Sequence, residues 1–66
     1  MNVAEIIQKF GGTGETARRF NVLPSAVSNW KHFDRFPDRL HLRITLEAQK
    51  IGVNIPPDFF TEDTAA

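Results

Sequence analysis

The 66-residue chain contains no cysteine, which excludes a disulfide framework and a thiolate metal site and makes a reducing cytoplasm the simplest location. No apolar run approaches the roughly 20 residues needed to cross a bilayer. The N-terminal MNVAEIIQKF also lacks the basic stretch and small-residue cleavage site of a secretory signal, so a cytoplasmic protein without a membrane partner is expected. Histidine is confined to His32 and His41, with no HExxH spacing. The nearest approach to a phosphate loop, GGTG at residues 11–14, lacks the lysine and flanking strand and reads as helix punctuation. An enzyme is therefore not expected, nor are catalytic residues, a cofactor, a metal or a small-molecule ligand. A chain this short has room for one domain, near the lower limit for a core without staples or a partner subunit.

Net charge is absent too, at zero overall, whereas strong phosphate binders are usually basic. The distribution matters more than the total. All eight Lys and Arg lie in residues 1–50 against five Asp and Glu, a net of +3, while residues 51–66 carry Asp58, Glu62 and Asp63 and no cation. The body is basic and the tail acidic, so nonspecific affinity for DNA should be weak unless two subunits act together.

What is present is a succession of short helical patterns. Val3, Ile6, Ile7 and Phe10 form an i, i+3, i+4, i+7 stripe, with Asn2 placed to cap it and Gly11 and Gly12 to stop it. A second helix is expected from Thr13 as N-cap to Phe20, closed by Asn21, which tolerates the left-handed conformation. A third runs from Pro24, suited to the first helical position, to about Phe33. Asp34, Arg35 and Phe36 connect it to a fourth, residues 38–51, opened by Pro37 and bounded by Gly52. Leu40, Leu42, Ile44 and Leu46 also alternate as in a strand, but the length, the start and stop signals and the lack of a hairpin turn favour helix. The expected fold is all-α: four short helices in residues 1–52, followed by a tail, 53–66, in which Pro56 and Pro57 forbid helix and TEDTAA is disordered.

The third helix divides cleanly by angle. With Pro24 at zero and about 100° per residue, Ser25, Ser28, Asn29 and His32 fall between about 40° and 140°, and Ala26, Val27, Trp30 and Phe33 between about 180° and 300°. One face is apolar and can seat on the first two helices; the other is short, polar and rich in hydrogen-bonding groups. Trp30 lies on the buried face and reads as core, not as a stacking platform for bases.

The segment Thr13–His32, TGETARRFNVLPSAVSNWKH, resembles the helix-turn-helix of phage Cro and repressor proteins. Ala17 stands at the small fifth position, Asn21 at the turn position usually held by glycine, and Val22, Val27 and Trp30 at the apolar positions. The resemblance implies a Cro-like transcriptional regulator, a repressor, reading double-stranded DNA through the major groove with its third helix. Pro24, Ser25, Ser28 and Asn29 would then meet base edges, Asn29 pairing bidentately with adenine. Thr13, Arg18, Lys31, His32 and Arg35 would meet phosphates. The recognition face departs from strong readers in having no arginine or glutamine, which leaves room for shape readout.

The fourth helix carries two apolar sides, Leu40, Ile44, Ala48 and Ile51 on one and Leu42 and Leu46 on the other. One packs on the core. The second suits either a homodimer that reads a palindromic operator, with Leu42, Leu46, Phe59 and Phe60 at its interface, or the chain's own tail folding Ile55, Phe59 and Phe60 back over it. The competing functional reading is a protein-binding helix-turn-helix module, an antitoxin, adaptor or anti-regulator, engaged through the same apolar residues.

Overall fold

The computed structural model describes residues 2–61. Helix α1 spans Val3–Phe10 and buries Val3, Ile6, Ile7 and Phe10, the whole of its stripe. Two side chains satisfy its first amides. Asn2 Oδ1 accepts from the Glu5 N–H at 2.8 Å, and Asp34 Oδ1, from the far side of the fold, accepts from the Val3 N–H at 2.9 Å. Gly11 closes the helix at φ 113°, a left-handed conformation that glycine adopts without strain.

Helix α2 spans Thr13–Phe20, so its N-cap is Gly12 and not Thr13. Gly12 reaches φ 100°, and the Thr13 hydroxyl accepts instead from the Lys31 ammonium at 2.7 Å. Thr16 is wholly buried, with its hydroxyl donating to the Gly12 carbonyl at 2.7 Å, so the buried polar group is satisfied. Asn21 ends α2 at φ 56°, ψ 48°, and the Val22 N–H reaches back to the Ala17 carbonyl at 2.9 Å. The chain thus turns within three residues into α3, Pro24–Phe33, with Pro24 in its first turn.

Packing of α3 is narrower than the wheel suggests. Val27 and Trp30 are buried and Ala26 is half-buried, but Phe33 is 68% exposed, contrary to expectation. The buried pair, Trp30 at about 240° and Val27 at about 300°, centres the packed side near 270°, and Phe33 at about 180° lies a quarter turn away, beyond half-buried Ala26 at about 200°. The Phe33 ring rests edge-on against His32, 4.8 Å between centroids, outside the core.

Past Asp34, itself left-handed at φ 56°, residues Phe36–Pro37 form a two-residue strand, β1. A 3-10 turn, Asp38–Leu40, leads into α4, His41–Lys50. The helical alternative for residues 40–46 holds, although the α-helix starts three residues after the expected position. Ile44 and Ala48 are fully buried and Leu40 half-buried, but Ile51, expected on that face, is 39% exposed, because α4 ends at Lys50.

The segment after Gly52 folds back on the body, as the tail alternative for Ile55, Phe59 and Phe60 has it, though it leaves Leu42 and Leu46 uncovered. Val53, Ile55 and Phe60 are buried in the same core as α1–α4, and Phe59 packs partly against it. Pro57 does not forbid helix here: it opens a 3-10 turn, Pro57–Phe59, where its missing N–H costs nothing. Strand β2, Phe60–Thr61, then pairs in parallel with β1, Phe36 opposite Phe60. The disorder expected of residues 61–66 does not extend to Thr61, which belongs to β2, and residues 62–66 lie outside the described residues.

A row of aromatic rings runs through the core and ties every layer together. Phe10 meets Phe20 edge-on at 5.4 Å, Phe20 meets Trp30 at 6.4 Å, Trp30 meets Phe36 at 5.8 Å, and Phe36 meets Phe60 at 5.7 Å. His41 stacks on the outer face of Phe60 at 3.9 Å. Each edge-to-face pair adds about 0.5–1.5 kcal/mol beyond the area it buries. No helix among the described residues is long and apolar enough to cross a membrane.

Candidate nucleic-acid interface

Burial of Val27 and Trp30 fixes the rotation of α3 and turns its other side outward. Pro24, Ser25, Ser28 and Asn29 are all exposed, as are Lys31 and His32. The four residues expected at base edges therefore share one solvent-facing surface. Short side chains there leave the helix slim enough to enter a groove about 12 Å wide.

The residues expected at phosphates divide into three settings. Thr13 and Lys31 are brought together by their 2.7 Å hydrogen bond, which sets the Lys31 ammonium at the first turn of α2 beside amides that no helix carbonyl can reach. Arg18 projects from α2 with its side chain 83% exposed, 3.7 Å from Glu15. His32 and Arg35 stand at the other end of α3, with the Arg35 guanidinium donating to the Asp34 carbonyl at 2.8 Å.

Neighbouring Arg19 has a different task. It donates to Glu47 at 2.9 Å, holding α2 to α4, and its guanidinium lies 5.6 Å from the centre of the Phe10 ring. Glu47 also accepts from Lys50 at 3.1 Å, and the hydrogen bonds from Lys50 and then Arg19 hold its carboxyl below the ordinary value. The Arg43 guanidinium donates to the Arg19 carbonyl at 3.3 Å, near the C-terminal end of α2. These contacts tie α2 to α4.

Arg39, from the turn before α4, is the residue that sequence reasoning missed. It shares an open hollow at the start of α3 with Asn21, Ser25 and Asn29, and Val22, Leu23 and Ala26 supply the apolar lining. Fifteen residues separate Arg39 from Pro24 in sequence, and no helical periodicity links them. Only the return of the chain through β1 brings them to one place.

The residues expected at a dimer interface do not stay together. Leu42 and Leu46 are 73% and 49% exposed on α4, and Phe59 is half-buried. Phe60, at 9%, belongs to the monomer's own core, which removes it from the expected interface. The tail covers the end of the core near Phe36 and His41 and leaves Leu42 and Leu46 open. No family model matches the chain, and no curated protein and no solved structure matches it either.

Proposed function

We propose that this protein is a sequence-specific double-stranded DNA-binding regulator of transcription, a bacterial or phage repressor acting as a homodimer in the cytoplasm, and not an enzyme. The observation that carries the reading is the outer face of α3: Ser25, Ser28 and Asn29 exposed together on a helix whose opposite side is locked into the core by Val27 and Trp30. Asn29 offers a donor and an acceptor on one planar amide, the pair that adenine N6 and N7 require. The Thr13 and Lys31 pair at the start of α2 supplies a phosphate clamp that sets register without reading sequence.

A single subunit of this charge binds DNA weakly. Leu42 and Leu46 give the fold a way to double its contacts, since an exposed apolar pair on a helix is suited to a second copy. Two α3 helices about 34 Å apart would read a palindrome. Occupancy of that site would block transcription, which makes repression the simplest outcome.

The same two leucines favour a second reading, a protein-binding module that meets its partner through α4. Selection of the purified protein on random duplex DNA at two salt concentrations separates the two. An enriched palindrome whose affinity falls with salt supports the DNA reading. Absence of enrichment at both salts would leave the protein-binding reading in its place.

A further inference from the structure

We infer that Arg39 reads a guanine in the major groove next to the base pair engaged by Asn29, supplying the guanidinium that α3 itself lacks. The inference rests on the DNA reading and adds a specificity-determining residue from outside the helix-turn-helix.

Three observations carry it. Arg39 lines the same hollow as Ser25 and Asn29, so its side chain shares the surface on which the proposed base readers stand. It is exposed and makes no hydrogen bond or ion pair among the described residues, a freedom it shares with Lys9 on α1, whereas Arg18, Arg19, Lys31, Arg35, Arg43 and Lys50 are engaged. Its neighbouring carboxylate, Asp38, faces His41 at 3.5 Å instead. Finally, the turn that carries Arg39 is held at both sides, by β1 paired with β2 before it and by half-buried Leu40 after it. The turn fixes where the side chain starts, and the planar guanidinium loses less freedom per hydrogen bond than an ammonium would. Its planar fork matches guanine O6 and N7, the commonest specific contact in the major groove.

A phosphate contact would use the same charge but carry no sequence information, and the two roles separate in a double-mutant cycle. The operator is first selected with the wild-type protein, and each enriched G·C pair is then replaced in turn by A·T, against wild type and Arg39→Ala. One replacement should weaken wild-type binding about ten- to hundred-fold and leave Arg39→Ala unaffected, with the melting temperature of the variant unchanged. Wild-type penalties retained at every position, with affinity lowered uniformly and a shallower salt dependence, would overturn base readout and assign Arg39 to phosphate. Unaltered affinity would overturn any contact. If the wild type enriches no operator, the DNA reading itself fails, an outcome distinct from either of these.

Discussion

Replacing Phe60 by alanine removes the last ring of the row that begins at Phe10. The ring is 9% exposed, 5.7 Å from Phe36 and 3.9 Å from His41. Deleting a buried phenylalanine side chain costs about 3–5 kcal/mol, and a site at the margin of the core, able to collapse, belongs at the lower end of that range. A domain of 66 residues has only about 3–10 kcal/mol in total, so Phe60→Ala should bring the protein close to unfolding. For this size, about 1 kcal/mol moves the melting temperature by about 4–8 °C, which gives a drop of about 12–24 °C. The assay is thermal unfolding by circular dichroism at two protein concentrations tenfold apart, with Gln8→Ala, at an exposed position of α1 outside every proposed interface, as a control. A core role gives the same drop at both concentrations. A drop that vanishes on dilution would return Phe60 to an interface between subunits, and a loss under about 1 kcal/mol would refute the closure of the core by residues 53–60.

Other substitutions separate recognition, association and support. Asn29→Ala should cost about 1–3 kcal/mol of specific DNA binding and leave the melting temperature in place; unchanged operator affinity in a titration would end its base-reading role. Leu42→Glu should yield folded monomers in sedimentation, because a charge replaces an exposed apolar contact, and a persistent dimer would move the interface elsewhere. Glu47→Gln should lower stability at neutral pH. The folded carboxyl of Glu47 is held below its ordinary value of 4.5 by Lys50 and Arg19, so its contribution is present above that value and is lost as pH falls through the lowered one. The gap between wild type and Glu47→Gln in a pH series should therefore narrow as pH falls below 4.5 and close once it has passed through the lowered value; a gap that persists in strong acid would contradict an ionised clamp.

The helices were legible because each has a periodic stripe and its own punctuation. Gly11, Asn21 and Pro24 each permit one local conformation better than the alternatives, and all three occupy it. The surface expected to read bases was legible for the same reason, since the burial of Val27 and Trp30 dictates what faces outward. What escaped depends on contacts distant in sequence. Asp34 was read as connector, yet it caps α1 across 31 residues. Phe60 reads either as a subunit contact or as part of a tail folded over α4, and it joins the core because Phe36 offers it a ring and β1 an open edge. Arg39 joins the α3 hollow through the same return of the chain. Phe33 shows the opposite limit, a residue at the border of an apolar arc whose burial the wheel alone does not decide.

The central claim is that the outer face of α3 engages duplex DNA, and amide resonances of isotopically labelled protein titrated with a short duplex at low salt test it residue by residue. Shifts concentrated on residues 25–32 and on the first turn of α2 near Thr13, fading as salt is raised, are the predicted result. Shifts confined to α4 around Leu42 and Leu46, or none at any ratio of duplex to protein, would contradict it.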